Sequence, residues 1–193
     1  MLMVASVKAP LEPRAFTELR EEKNPATMTK HKIGTSLRDR LIGAWELVSY
    51  VEKPVDGSPP AYPFGEDAQG MIMYTHDGFM SAQLSVRKRA PFASDDWSKG
   101  KPEEFAAAAS TYFAYTGPFQ VDEEKQTLTH SMFISLFPNW IGQTQPRVVQ
   151  IDDNFLTITT EKPVESLGKM VKPELRWKRA TVPGPILFRA TLI

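Results

Sequence analysis

One histidine in the middle of the chain is the residue best suited to acid–base chemistry. His130 lies in "TLTHSMFISL", where Leu128, Met132, Ile134 and Leu136 are apolar and most residues between them are polar. A period of two is typical of a strand with one buried face, and it places His130 on the inward face. A buried imidazole can act as a general acid or base. It can also be a core histidine that is hydrogen-bonded to a tyrosine or threonine, and the sequence leaves both interpretations open.

Two residues that follow His130 could hold an oxygen atom of a ligand. If the Arg147 guanidinium points inward, it is a strong donor for a carbonyl or enolate oxygen. The residues around it do not decide its direction. Asn139, beside Trp140, could donate to the same oxygen, although an Asx turn within its loop explains it equally well. His130, Arg147 and Asn139 are therefore the candidate catalytic residues.

Aromatic and polar side chains along the chain are candidates for the wall of a ligand site. Such sites combine apolar surface with a few hydrogen-bonding groups that orient the ligand. The alternative for each tyrosine is a hydrogen-bonded place in the core, and for the loop aromatics the closing of loops over the core. The predicted substrate-binding residues are Phe64, Tyr74, Gln83, Trp97, Tyr112, Tyr115, Met132 and Trp140.

The sequence predicts neither a metal site nor a cofactor. His31, His76 and His130 are far apart in the chain and lack the close spacing of a catalytic metal site. The chain contains no cysteine, and we find no nucleophile elbow, phosphate-binding loop or dinucleotide fingerprint. An enzyme of this kind would rely on shape, desolvation and a few hydrogen bonds. Those means suit pericyclic ring closure, isomerisation or loss of water.

Composition limits the partners of the protein. Lysine plus arginine equals aspartate plus glutamate, 23 each, which argues against binding to nucleic acid or an anionic membrane. No apolar run approaches the ~20 residues of a membrane-spanning helix. Lys8, Pro10 and Pro13 interrupt the apolar N-terminus, so a secretory signal is not expected. We predict a cytoplasmic protein whose partner is a hydrophobic small molecule, with a homodimer left open.

The chain divides into three parts by pattern. Residues 1–35 are polar and contain prolines, and we predict an extended or partly disordered arm. Residues 36–181 carry strand patterns separated by turn signals, and residues 182–193 form a C-terminal tail. One helix is predicted at "KPEEFAAAASTYF", where acidic residues precede four alanines. The eight predicted strands are 43–53, 68–75, 78–86, 112–121, 126–136, 144–151, 154–161 and 173–180.

The lengths of the connections predict how these strands are arranged. The connections after the second, fourth and sixth strands are short, whereas those after the first, third, fifth and seventh are long. Strands that run up and down in order would place every long loop at the same end. The pattern therefore predicts an all-β fold, a single eight-stranded antiparallel barrel with one helix in a mouth loop. Phe137 and Trp140 would then be mouth residues.

Two motifs and three longer stretches carry a family resemblance. "IGAWELVSY" contains Gly43-x-Trp45, and "LRWKRA" in the last strand offers Arg176 or Arg179 to cover the indole. This combination resembles the lipocalins, in which it closes one end of the barrel. "PFGEDAQGMIMYTHDGFMSAQL", "EEFAAAASTYFAYTGPFQVDEE" and "SLFPNWIGQTQPRVVQI" resemble the lipocalin-like domain family of fungi and bacteria. The resemblance covers about residues 40–180.

The resemblance implies a small calycin-type barrel that binds small organic molecules. Some relatives belong to secondary-metabolite pathways as cyclases, isomerases or dehydratases. Our first hypothesis is a cofactor-independent enzyme that promotes cyclisation, isomerisation or dehydration of a hydrophobic polyketide or terpenoid. The alternative is a non-catalytic carrier of a lipophilic small molecule. A third hypothesis is an interaction protein whose barrel is fully packed.

Overall fold

The computed structural model describes residues 36–181, in which eight antiparallel strands form a closed barrel. The barrel strands pair in the order β1-β2-β3-β4-β5-β7-β8-β10, and β10 pairs with β1 to close the sheet. The predicted up-and-down eight-stranded barrel is thus confirmed, while the predicted arm and tail lie outside the described residues. The elements are α1 (Leu37–Leu41), β1 (Gly43–Pro54), β2 (Gln69–Tyr74), β3 (Phe79–Ser85), α2 (Pro102–Ser110), β4 (Tyr112–Asp122), β5 (Thr127–Ser131), β6 (Ile134–Ser135), β7 (Thr144–Ile151), β8 (Phe155–Thr159), β9 (Val164–Ser166) and β10 (Lys169–Arg179).

Two short strands lie outside the barrel circuit, and one of them corrects a predicted element. β9 pairs with β10, and β6 pairs with β4. The predicted strand 126–136 is in fact divided into β5 and β6, because the pairing with β4 shifts by one residue between them. Phe119 pairs with His130, whereas Tyr115 pairs with Ser135.

The shift reverses the direction of the side chains that follow it. Period-two alternation holds through His130 and Met132, both of which are fully buried. Beyond the shift it fails: Ile134 and Leu136, predicted to point inward, are 67% and 41% exposed. A one-residue slip moves every later side chain to the other face of a strand.

Helix α1 contacts the short turns at one end of the barrel. The backbone N–H of Arg38 donates to the Glu123 carboxylate in the β4–β5 turn at 3.0 Å. Its guanidinium donates to the carbonyl of His76 in the β2–β3 turn at 2.9 Å. Arg40 donates to the carbonyl of Ile151, where the β7–β8 turn begins. The three short turns thus share one end, as the connection lengths predict.

Trp45 fills this closed end and is 0% exposed. Its indole N–H donates to the carbonyl of Leu41 at 2.9 Å. Arg179, which pairs with Trp45 across β1 and β10, places its guanidinium carbon 4.0 Å from the indole centroid and also donates to the carbonyl of Arg40 at 2.7 Å. Of the two predicted arginines, Arg179 and not Arg176 covers the indole. The pair therefore has the structural role that the sequence predicts.

The long connections all lie at the opposite end, which is the mouth. The connection between β3 and β4 contains α2, which begins with Pro102 and carries acidic residues in its first turn. Glu104 accepts hydrogen bonds from the backbone N–H groups of Lys101 at 2.7 Å and Ala93 at 2.8 Å, which ties the loop to the helix N-terminus. In the part of the chain that the structure describes, no helix has the length and apolarity to span a membrane.

Candidate functional site

A cavity of about 690 Å³ lies in the mouth half of the barrel. It reaches from side chains inside the sheet to the loops of the mouth, which contribute Pro63 and Lys162. A volume of this size accommodates a small organic molecule. Its apolar wall consists mainly of Phe64, Ile72, Leu84, Phe113, Tyr115, Trp140, Ile158, Leu175 and Trp177.

The loop between β5 and β7 supplies part of that wall. The Trp140 ring packs edge to face on Phe113 at 4.9 Å and on Tyr115 at 5.7 Å between centroids. Phe137 packs on the outer side of Trp140 at 6.3 Å and remains 45% exposed. The apolar surface of this loop is therefore divided, with Trp140 in the cavity wall and Phe137 behind it.

A buried carboxyl group is the least ordinary member of the cavity lining. Glu52 is only 2% exposed, and its Oε1 accepts a hydrogen bond from the Tyr50 hydroxyl at 2.5 Å. Among residues 36–181 its Oε2 has no hydrogen-bond partner. Burial, followed by the bond to Glu52, raises the pKa of Tyr50 well above its ordinary value. Tyr50 therefore keeps its proton and donates a hydrogen bond to one carboxyl oxygen, while the other has no partner in the part of the chain that the structure describes.

Arg147 also lines the cavity, which decides the direction that the sequence leaves open. Its guanidinium donates to the Pro146 carbonyl at 2.9 Å and to Oε1 of Gln145 at 2.5 Å. Burial raises the pKa of Tyr115, and the charge of Arg147 with its hydrogen bond offsets part of that rise. Because a guanidinium has five N–H donors, Arg147 keeps donors for a ligand oxygen.

His130 lies in the core and is absent from the cavity lining. It is 0% exposed, and its Nε2 lies 3.0 Å from the hydroxyl oxygen of Tyr74. Its Nδ1 has no partner within the described part of the chain. Burial, with a smaller contribution from the charge of Arg147, lowers the pKa of His130 to about 3. The imidazole is therefore neutral at about pH 7. Of the two interpretations that the sequence leaves open, this environment matches the hydrogen-bonded core histidine.

The buried imidazole predicts a pH-dependent stability. In the unfolded chain His130 takes up a proton below about pH 6.5, whereas the folded protein resists protonation down to about pH 3. Its contribution to stability is therefore complete above about pH 6.5 and is lost as the pH falls, at about 1.4 kcal/mol per pH unit. In His130→Gln the amide can still bond to Tyr74 but cannot titrate. We expect the wild type to lose roughly 2 kcal/mol more than this variant between about pH 7 and pH 5, measured by urea unfolding.

The comparison with the variant distinguishes the pH-dependent contribution of His130 to stability from that of the carboxylates. Asp122 and Asp152 have pKa values lowered mainly by backbone hydrogen bonds, so the folded state also loses stability as they protonate. That loss is common to both proteins and cancels in the difference. Parallel stability profiles for the wild type and His130→Gln would contradict the assignment.

Four of the predicted site residues meet in the cavity: Phe64, Tyr115, Trp140 and Arg147. Tyr74 and Met132 are 2% and 0% exposed and belong to the core rather than to the lining. Sequence alternation identifies buried positions here without separating the packed layer from the layer that faces the cavity.

The remaining predicted site residues lie on the surface. Gln83 accepts a hydrogen bond from the Tyr112 hydroxyl at 3.0 Å on the exposed side of the sheet. Trp97 is 82% exposed, and Asn139 is exposed within a short 3-10 helix. None of the four lines the cavity. In residues 36–181, no three histidine, aspartate or glutamate side chains are grouped as a metal site requires.

Sequence reasoning missed several polar members of the lining. Tyr50, Glu52, Thr160 and Trp177 line the cavity, and the last three each have a buried polar atom without a partner among the described residues. No sequence signal singles out Glu52, because the first strand "GAWELVSYVEKP" also carries the charged residues Glu46 and Lys53. A buried carboxyl group of this kind needs a compensating partner.

Comparisons with known proteins agree with this geometry. The model of the lipocalin-like domain family matches residues 42–180, a range that contains every strand of the barrel. A curated protein of Aspergillus oryzae (strain ATCC 42149 / RIB 40), described as a 4'-hydroxy-3'-methoxypropiophenone carrier protein, is 33% identical over 106 residues. The match covers 52% of this chain and 96% of that relative. The chain belongs to the lipocalin-like domain family.

Proposed function

We propose that the protein carries a small aromatic metabolite of low polarity in the barrel cavity without altering it. The observation that supports this most directly is the cavity itself, about 690 Å³ in volume with aromatic walls and a few polar atoms that have no partner within residues 36–181. Such a lining binds an apolar body and orients its polar groups. A fully packed barrel would leave no room for a ligand.

The relative from Aspergillus oryzae supports the carrier alternative over the catalytic hypothesis. Its described ligand, 4'-hydroxy-3'-methoxypropiophenone, is a small aromatic ketone with a phenolic hydroxyl group. A molecule of this class matches a wall formed by Phe113, Tyr115 and Trp140 together with the donor Arg147. The buried, neutral His130 is poorly placed for proton transfer to a ligand, because it does not line the cavity.

Removing one wall residue tests this proposal. Trp140→Ala should weaken binding of 4'-hydroxy-3'-methoxypropiophenone about tenfold or more, because a large buried aromatic surface is lost from the site. Isothermal titration calorimetry measures the change. Trp97→Ala is the matched control, since Trp97 is 82% exposed and does not line the cavity. Equal affinities for the two variants, or no binding to the wild type, would contradict a carrier function for this cavity.

Mass spectrometry of the same mixtures distinguishes carriage from chemistry. A carrier returns the probe unchanged after incubation. A product of equal mass would instead indicate an isomerase or cyclase, and one lighter by a water molecule a dehydratase. In either case Arg147, as the donor in the cavity, would be the first residue to substitute.

A further inference from the structure

Oε2 of Glu52, which has no hydrogen-bond partner within residues 36–181, is the feature of the cavity that the carrier proposal leaves unexplained. A buried carboxyl oxygen without a partner costs stability, because water that would solvate it in the unfolded chain has been removed. Glu52 is 2% exposed, and within the described residues only Tyr50 bonds to its side chain. Glu52 also lines the binding cavity. A ligand that donates a hydrogen bond to Oε2 would offset the cost of burying this oxygen.

The pairing of the strands places Glu52 in a belt of polar side chains. Glu52 pairs with Pro173 of β10, and the neighbouring Glu174 pairs with Thr159 of β8, so Thr160 lies at the same level one strand further. Adjacent strands are about 4.8 Å apart, which separates the Cα atoms of Glu52 and Thr160 by about 10 Å. One small aromatic molecule can span that distance.

The belt has two chemical ends. Oε2 of Glu52 has no hydrogen-bond partner among residues 36–181 and can accept a hydrogen bond, whereas the Arg147 guanidinium only donates them. Val148 pairs with Thr159, so Arg147 lies beside Thr160 at the same level as Glu52. A ligand that fits must therefore present a hydrogen-bond donor to Glu52 and an oxygen acceptor to the Arg147 side.

We propose, on the basis of the carrier function above, that Glu52 determines specificity by accepting a hydrogen bond from a neutral phenolic or alcoholic hydroxyl group of the ligand. A carboxylic acid at this position is disfavoured, because two carboxyl groups that share one buried site cannot both ionise without repelling each other. An ether is disfavoured as well, because it offers no proton and leaves Oε2 unpaired. The cavity thus selects hydroxylated aromatic ketones over their O-methylated forms.

The test compares para-hydroxybenzophenone with para-methoxybenzophenone by isothermal titration calorimetry. These probes share a carbonyl group and differ in the proton that Glu52 would accept. The wild type should bind the phenol about tenfold or more tightly than the ether, because the ether leaves the buried Oε2 without a hydrogen-bond donor. In Glu52→Gln the preference should fall below about threefold, because the amide is a weaker acceptor and can also donate to the ether oxygen.

A matched variant on the same strand serves as the control. Glu46→Gln makes the same change on the same strand, in a residue paired with Lys178 on the outer face, and should retain the preference. Equal binding of both probes by the wild type would overturn the role of Glu52 while the carrier function stands. Failure of both probes and of the propiophenone titration would overturn the carrier function itself.

Discussion

Trp45→Ala should lower the free energy of unfolding by about 4 kcal/mol, enough to unfold a marginally stable barrel. The indole is 0% exposed and fills the closed end, so its removal leaves a large cavity that the surrounding turns cannot close. Its loss also leaves the carbonyl of Leu41 without its indole donor and takes away the ring beneath the Arg179 guanidinium. Equilibrium urea unfolding followed by circular dichroism measures the change.

A tryptophan elsewhere in the chain provides the matched control. Trp97 is 82% exposed, and Trp97→Ala should change stability by no more than about 0.5 kcal/mol. A double-mutant cycle with Arg179→Met isolates the stacking on Trp45, which should contribute about 1 kcal/mol. If Trp45→Ala were as stable as Trp97→Ala, the closed end would not depend on this side chain.

The closed end could be predicted from the sequence because it depends on two features that can be read along the chain, the lengths of the connections and the order of the strands. Short connections alternate with long ones, which assigns each loop to an end once the strands run up and down. Closure places the end of the last strand beside Trp45, since the first and last strands of a barrel must be neighbours, whereas the choice of Arg179 over Arg176 depends on the register seen in the structure. Neither inference depends on which face a particular side chain occupies.

The residues that line the cavity could be predicted less well, because the lining depends on irregularities in strand pairing that no residue type in the sequence indicates. In β1 the pairing with β10 shifts between Leu47 and Ser49. Trp45 and Leu47 point inward before the shift, and Tyr50 and Glu52 line the cavity after it. Unbroken alternation from Trp45 would have turned Glu52 toward solvent.

The long β3–β4 connection limits prediction for a different reason. Trp97 is an aromatic residue in a mouth loop, and the sequence places it near the ligand. The loop instead packs on its own helix, with the rings of Phe92 and Phe105 5.2 Å apart, and leaves Trp97 82% exposed. Which surface a long loop packs against depends on tertiary contacts that local patterns do not encode.

Gly117→Ala should lower the free energy of unfolding by about 3 kcal/mol, although alanine fits the extended backbone of a strand. A Cβ atom at this position would lie 1.8 Å from the backbone oxygen of Ser131 and 3.0 Å from the nitrogen of Phe133. Because both are backbone atoms, the chain between β5 and β6 would have to move away from β4. Urea unfolding measures the loss, and Gly57→Ala serves as control.

The control separates crowding from the general effect of replacing glycine. Gly57 has open space around its Cα and a φ of +79°, so alanine there should cost only about 1 kcal/mol of backbone strain. The Gly117 substitution should also weaken ligand binding, because the displaced segment leads into the loop that holds Trp140 against Tyr115. A Gly117→Ala protein with wild-type stability and affinity would mean that the register shift is free to relax. The expected losses would instead show that the missing Cβ atom at Gly117 permits the one-residue shift between the β4–β5 and β4–β6 pairings, and with it the position of the loop that carries Trp140.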